Sequence, residues 1–515
     1  LDWNSNAFLY YTRSFNQQHN LNVSAGWEAA SGTTESTNAH YRGFPSGEFH
    51  SLNYAAEVYK KPTRTENTTR RVSVLASANY TWNDIYLVDA SVRFDGSSEF
   101  GANQKWAPFF SGGLGVNIHN YDFFKSNGYI NKLKLRASYG RTGKVNFPAY
   151  AATTMYETLF DEWYITGYGA VLKALGNKDL TWEKTDKLSV GIETKTFHDR
   201  LTVDFEYYYN KTIDLVNDVT LSQTSGFSTY KDNMGQVANK GVELKLRADI
   251  YRDRNWNVAL WGNMAHNKNE ILKISDSQKA YNERVAAYYK NEALYQETLG
   301  LSHGAEYSVP LPQYEEGASL TSIWAVRSLG IDPTTGKEIF LNRDGSIADK
   351  WNAAQEVVVG NTEPKCSGAF GLNLSYKNWT LFASFLYEWG GQEYNQTLVN
   401  NVENADLVNK NVDLRVLTDR WKKPGDIAQF KDIKDRGMTT LPTSRFVQDK
   451  ALVRLNSLNV SYDFNRDWIK KHLRMNLLRL EASTSDLINW SSIKQERGLS
   501  YPRSWKVEFS LKAQF

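Results

Sequence analysis

The sequence predicts an all-β chain, a transmembrane antiparallel β-barrel of about 15 strands with long extracellular loops. Three observations predict it. Segments of about ten residues alternate apolar and polar side chains, repeatedly along the chain. Aromatic residues are abundant, 30 Tyr, 24 Phe and 16 Trp in 515 residues, while mean hydropathy is only −0.55. Short connections alternate with long ones. Successive side chains of a strand point to opposite faces. A barrel in lipid needs an apolar outer face, a polar lumen and aromatic girdles at both interfaces, with short turns inside and long loops outside.

The alternation is clearest in four segments. In NDIYLVDASVRFDGSS, Tyr86, Val88, Ala90, Val92 and Phe94 oppose Asp89, Ser91 and Arg93. In NKLKLRASYG, Leu133, Leu135, Ala137 and Tyr139 oppose Lys132, Lys134, Arg136 and Ser138. In GVELKLRAD, Val242, Leu244, Leu246 and Ala248 oppose Glu243, Lys245, Arg247 and Asp249. The chain closes on SWKVEFSLKAQF, where Trp505, Val507, Phe509, Leu511, Ala513 and Phe515 share a face. Taken in order, the expected strands are 6–15, 20–29, 71–81, 85–94, 107–117, 132–140, 185–196, 200–210, 239–250, 256–266, 367–376, 379–388, 451–463, 475–484 and 504–515. Tight turns are expected at Trp82–Asp84, His198–Arg200, Arg252–Asn255 and Lys377–Asn378, and long loops over 30–70, 141–184, 211–238, 267–366 and 389–450. With the short turns in the periplasm, the first strand runs inward, and so does the last. A closed single-chain barrel has an even strand count, and an open edge in lipid leaves backbone groups unpaired. The remaining strands are therefore expected from an N-terminal portion on another chain or a removed segment.

Composition excludes other classes. The single Cys366 excludes an internal disulfide framework. Sixty basic and 57 acidic residues nearly cancel, so nucleic-acid binding has no electrostatic support. No apolar run reaches the length of a helical span. The opening LDWNSNAFLYYTRSF lacks the features of a secretion signal, which is expected to have been removed or to lie elsewhere. The eight His are scattered, and no zinc-protease, nucleophile-elbow or phosphate-loop motif occurs. No catalytic residue, cofactor or metal is expected. GIDPTTGKE and NRDGS place Asp near Gly without the spacing of a calcium loop, and read as turn chemistry.

Several stretches together resemble one family. VRFDGSSEFGANQKWAPFFSGGLGVNI (92–118) is similar to the Arg-x-Asp-Gly-Ser-Ser-x-Phe signature, followed by Trp and Phe-x-Ser, of SusC/RagA-like, TonB-dependent outer-membrane transporters. LKLRASYGRTGKVNFPAY (133–150), LTWEKTDKLSVGIE (180–193), SLGIDPTTGKEIF (328–340), VVVGNTEPKCSGAFGLNLSYKNWTLFASFLYEWGGQEYN (357–395), DRWKKPGD (419–426), SRFVQDKALVRLNSLNVSYDF (444–464) and the closing strand continue the resemblance in order along nearly the whole chain. It is to the C-terminal barrel portion of that family. The resemblance implies a barrel of about 22 strands around an N-terminal plug, with a TonB box ahead of the plug and a SusD-like lipoprotein as a hinged lid. On that resemblance, the plug and TonB box are expected to lie outside residues 1–515. Phe94 stands where the family usually has Tyr or Arg before Asp95, and it continues the apolar face.

The resemblance implies an importer of oligosaccharides or peptides. Implied partners are the plug-bearing portion, the TonB complex acting through it, the SusD-like lid, outer-membrane lipid and a second importer–lid unit. The alternatives are a passive porin, or a surface-exposed structural or glycan-binding barrel. The rim motif Arg93, Asp95, Gly96, Ser97 and Ser98 offers either lid or substrate contact, or a local Asp–Arg network. Loop aromatics Trp163, Tyr164, Tyr288, Tyr289, Trp324, Trp389 and Tyr394 are the candidate substrate contacts, because sugar rings stack on aromatic faces and large pockets combine aromatics with a few polar groups. The strand aromatics Tyr207, Tyr209, Trp505 and Phe509 are expected to face lipid or form girdles. Arg93, Lys134, Arg136, Glu243, Lys245 and Arg247 are expected in a solvated lumen wall. Phe515 resembles the terminal signal read by the barrel-assembly machinery.

Overall fold

The computed structural model describes residues 2–45, 47, 51–125, 128–145, 147, 150–165, 167–174, 176–220, 229–233, 235–274, 276–291, 314–409, 412–434, 440–464, 466–494 and 506–515. Two compact units are formed. One holds Leu1–Val116, Ala137–Leu188 and Lys211–Gln236; the other holds Asn117–Arg136, Ser189–Asn210 and Val237–Phe515.

The strands are, in chain order, β1 (Asp2–Phe15), β2 (His19–Arg42), β3 (Glu57–Trp82), β4 (Tyr86–Ser97), β5 (Trp106–Asn117) and β6 (Ile130–Lys144). Next come β7 (Met155–Tyr164), β8 (Gly167–Ala174), β9 (Glu183–Thr196), β10 (Leu201–Ile213), β11 (Val216–Thr220) and β12 (Thr229–Asn233). They are followed by β13 (Gln236–Arg252), β14 (Trp256–Lys273), β15 (Ser322–Ile331), β16 (Glu338–Leu341), β17 (Ile347–Ala348) and β18 (Glu356–Asn361). The last are β19 (Cys366–Tyr376), β20 (Trp379–Tyr394), β21 (Val447–Asp463), β22 (Leu477–Thr484), β23 (Asn489–Ser491) and β24 (Val507–Gln514). The main sheet is ordered β1-β2-β3-β4-β5-β6-β9-β10-β13-β14-β19-β20-β21-β22-β24, with β23 on β21. Each of the fifteen strands on that path overlaps an expected segment.

The tight turns form where φ is positive at consecutive polar residues. Asn16 and Gln17, Asn83 and Asp84, and His198 and Asp199 take left-handed conformations, which match the twist of the flanking strands. At the β13–β14 turn, Asp253 Oδ1 accepts from the backbone N–H groups of Asn255 and Trp256, both at 2.7 Å. Lys377 alone has positive φ at the β19–β20 turn. The helix Arg466–Leu473 lies between β21 and β22, with Ile469 fully buried and Trp468 exposed.

One face of the strands is apolar and open. Val88, Val92 and Phe94 on β4, Phe205 and Tyr207 on β10, and Phe509 and Leu511 on β24 are all exposed at alternate positions. Soluble chains do not leave such extended apolar surface uncovered; on a membrane barrel it is the lipid face. No described helix is long and apolar enough to span a membrane.

The long connections differ from expectation. β2 and β3 pair well past the expected ends, from His19↔Trp82 to Arg42↔Glu57. Segment 141–184 contains the hairpin β7–β8, and 211–238 contains β11–β12. Within 267–366, the helix Asp276–Tyr288 precedes a four-stranded sheet ordered β17-β16-β15-β18. These loops carry their own cores. In the first unit, Phe100, Phe109, Phe147, Leu180 and Trp182 pack together. In the second, Leu398, Val399, Val402, Val416, Phe430 and Phe446 do so.

Candidate functional site

The rim motif is held at the end of β4. Arg93 donates to Asp95 Oδ1 at 2.5 Å, Glu28 Oε2 at 3.0 Å and Ser73 Oγ at 2.9 Å, tying β2, β3 and β4 together. Ser97 Oγ donates to Glu99 Oε2 at 3.2 Å, and Ser98 Oγ accepts from Arg70 N at 2.9 Å. Gly96 is required by its neighbour, since a Cβ there would sit 2.9 Å from the Trp106 ring. The Phe100 that closes the motif stacks on Trp182, with centroids 4.2 Å apart. These residues fasten the rim to the loop core.

The polar face of the strands is lined by paired charges. Lys132 meets Glu193 at 2.6 Å, and Arg136 bridges Asp204 at 2.9 Å and Glu206 at 2.6 Å. In the first unit, Arg141 and Asp186 form a two-pronged pair at 2.7 and 2.9 Å, and Lys184 meets Asp214 at 3.0 Å. Strand alternation places Lys134 on the face of Arg136, and Glu243 and Lys245 on that of Arg247. Arg247 pairs with Asp249 at 3.3 Å. Such a wall is hydrophilic but internally neutralised, so it can pass polar solutes without imposing one sign of charge.

The candidate aromatics are placed individually. The side chains of Trp163 and Tyr164 lie outside the described residues. Tyr288 ends a helix with Tyr289 just beyond it, both half-buried. Trp324 is on β15 opposite Val358. Two positions expected in a loop are in fact on a strand, because β20 runs on to Tyr394. Tyr394 packs edge-on to Phe446, centroids 6.1 Å apart, against the second loop core. Trp389 is 71% exposed and lies on the face of Trp379, Leu381, Ala383, Phe385 and Tyr387, the lipid face. Of the strand aromatics, Phe509 and Tyr207 are exposed and Tyr209 is half-buried. Trp505 lies outside the described residues. Phe515 is 79% exposed on the face of Phe509 and Leu511.

A cavity of about 600 Å³ in the second unit is lined by His266, Asn267, Lys268, Asn361, Glu363, Pro364, Lys365, Trp389, Gly390, Gln392, Asp449, Lys450, Ala451 and Ser492. Of the aromatic candidates with described side chains, only Trp389 lines it. The cause is a short strand. β19 begins at Cys366, whereas its neighbours β14 and β20 run on to Lys273 and Tyr394. Pairing stops at Ala265↔Ser367 on one side and Trp389↔Cys366 on the other. Sequence reasoning missed the other lining residues, and the one signal for them is the unequal reach of these strands. Toward the polar face, Glu363 seals the notch, accepting from Asn267 Nδ2 and from Asn269 N at 3.0 Å. Asn267 Oδ1 in turn accepts from the Tyr208 hydroxyl at 2.9 Å.

The turn reading of the two Asp-Gly segments matches their geometry. Asp332 accepts from Thr334 N at 2.8 Å and Thr335 Oγ1 at 2.6 Å, and Gly336 has φ +74°. Among the described residues, no group of three or more His, Cys, Asp or Glu is placed to hold a metal ion.

Residues 2–483 match the family described as "TonB dependent receptor-like, beta-barrel". The chain belongs to that family. It is 26% identical to TonB-dependent receptor P39 of Formosa agariphila over 566 aligned positions, covering all of this chain and 53% of that protein. It is 29% identical over 255 residues to TonB-dependent receptor SusC of Bacteroides thetaiotaomicron, covering 47% of this chain and 25% of that protein. A solved structure of the RagAB peptide importer in its open-open state superposes with a TM-score of 0.81 at 23% identity, covering 100% of this chain and 54% of that one. That likeness shows the fold. The SusC/RagA-like resemblance and the antiparallel barrel fold both stand, and the chain is an outer-membrane β-barrel. The family is one of receptors, not enzymes. The chain spans about half the length of the curated relatives it matches.

Proposed function

We propose that the chain is the C-terminal barrel portion of a SusC-like TonB-dependent importer, taking up oligosaccharides or peptides across the outer membrane. The observation that carries the reading is the pairing of an exposed apolar face with an opposite face of neutralised ion pairs on the same strands. Such a wall suits bulky polar cargo that carries no single charge. The large folded outer loops are consistent with a partner on the cell surface.

The partners in this reading are a plug-bearing portion of the transporter, the TonB complex acting through that plug, and a SusD-like lipoprotein lid. Two importer–lid units would pair. Tyr288, Tyr289, Trp324 and the rim motif are its candidate contacts with lid or cargo; Trp163 and Tyr164 join them as sequence positions. The test is uptake of labelled oligosaccharides and peptides by cells with and without TonB, with co-purifying polypeptides identified by peptide mass spectrometry. Uptake that stops without TonB, and a co-purifying lipoprotein, are the expected results. Uptake indifferent to TonB would instead mean a passive pore.

A further inference from the structure

The notch above β19 lies at the level of the outer membrane interface. On β20, Trp379 and Trp389 share the lipid face ten residues apart. That separation is about 33 Å along the strand, or about 25 Å of height at the usual tilt, which is the spacing of the two aromatic girdles. At the inner girdle Trp379 packs on Tyr462, centroids 4.8 Å apart, and Trp256 on Tyr376 at 4.2 Å. Trp389 marks the outer one.

Several cavity residues share that lipid face. β14 places His266 and Lys268 in line with Trp256 and Leu260. Gly390, with φ +80°, bulges out of the β20–β21 ladder. The bulge keeps Ala451 with Trp389 and brings Gln392 opposite Asp449 on the same face. Lys365 lies across that bulge, since a Cβ on Gly390 would be 2.9 Å from Lys365 Cβ.

The carboxylates of the cavity are already engaged. Glu363 is turned to Asn267 and Asn269, and Asp449 accepts from Gln392 Nε2 at 3.1 Å. Lys450 points to the polar face, bridging Glu388 at 3.2 Å and Glu393 at 3.4 Å. Lys268 touches Glu270 at 3.4 Å and is 60% exposed. Lys365 has no carboxylate partner among the described residues. His266 donates from Nδ1 to the Lys365 carbonyl, 2.7 Å away, which leaves Nε2 as its second ring nitrogen. The groups the lipid-facing notch offers are thus Lys365, an imidazole and an indole face, with Lys268 shared with Glu270 at its edge.

We propose that this notch binds the phosphorylated sugar headgroup of an outer-leaflet glycolipid. Lys365 and Lys268 would hold phosphate through charge-assisted hydrogen bonds, His266 would add a third polar contact, and Trp389 would stack on a sugar ring. The volume suits a headgroup of a few rings, within the range of ordinary ligand sites. The site continues the lipid interface, so it does not depend on which cargo the barrel carries.

The test uses the whole transporter, purified in mild detergent and titrated with diphosphorylated lipid A in mixed micelles, with binding read by native mass spectrometry. Parallel arms use dephosphorylated lipid A and inorganic phosphate. The expected result is binding weakened about tenfold by Lys365→Ala with Lys268→Ala, and likewise by Trp389→Ala. Lys365→Arg restores it, and Lys470→Ala at the opposite end of the barrel leaves it unchanged. Dephosphorylated lipid A should bind about tenfold more weakly, and inorganic phosphate should not displace the lipid. Equal binding by the double variant, an equal loss in Lys470→Ala, or displacement by inorganic phosphate or by transported cargo would overturn the proposal.

Discussion

Glu356 opens β18 in the loop sheet and is 8% exposed. Burial pushes its carboxyl up to about 7, with the Arg343 guanidinium pulling the other way. That guanidinium is committed to the backbone, donating from Nε to the Glu356 carbonyl at 3.0 Å, so it offsets only part of the cost. Because the folded value is raised, the neutral form favours the fold. The stabilisation is complete below the ordinary carboxylate value of 4.5 and is lost as pH rises through about 7. Hydrogen exchange of residues 322–361, corrected for intrinsic rate, should therefore show weaker protection at pH 8 than at pH 5. Glu356→Gln should remove that difference and raise protection at pH 8. An unchanged pH response in the variant would show that Glu356 is not the titrating group.

At the scale of elements, the loops behind the rim hold together by buried charge as well as apolar packing. Arg445 reaches Glu338 at 2.9 Å and Glu403 at 2.7 Å, and Glu403 is fully buried. Burial disfavours the Arg445 cation, but hydrogen bonds and charge from both carboxylates outweigh it and raise its affinity for the proton. Arg445→Met would leave two buried carboxylates unpaired, a loss of about 3–5 kcal/mol. By contrast, Arg64 and Glu35 on the outer β2–β3 hairpin are both more than half exposed, and Arg64→Ala should cost less than about 1 kcal/mol. Limited proteolysis of residues 396–434 tests the contrast: rapid cleavage in the first variant only is expected. Neither network was legible in the sequence, since Arg445 lies 107 and 42 positions from its partners. The barrel strands were legible because lipid on one side and water on the other impose a period of two. Above the membrane both faces meet water, and that constraint ends. The outer halves of β2 and β3 are accordingly polar and pair through groups such as Thr33 and Thr68, their hydroxyls 3.1 Å apart. On β20 the alternation breaks at the Gly390 bulge just past Trp389, so the sequence pattern ends there and leaves Trp389 and Tyr394 looking like loop residues.

For the whole molecule, the reading of function rests on which face meets lipid. On β4 the assignment is sharp. Val92 is 46% exposed and is followed on its face by Phe94. Its chain neighbour Ser91 points the other way, where its hydroxyl lies 2.7 Å from that of Ser111. Both residues sit in the middle of the strand, so depth in the bilayer is matched and only the direction differs. An arginine on the lipid face at mid-depth costs about 2–4 kcal/mol, while the lumen side is wet and tolerates charge. Val92→Arg should therefore lower the stability of the transporter folded into phospholipid bilayers by that amount, and Ser91→Arg should change it by less than about 1 kcal/mol. Denaturant titration of each variant in the same vesicles measures the difference. A larger loss for Ser91→Arg would invert the two faces. The ion-pair wall would then be turned to lipid, and both the import reading and the headgroup site above β19 would fall with it.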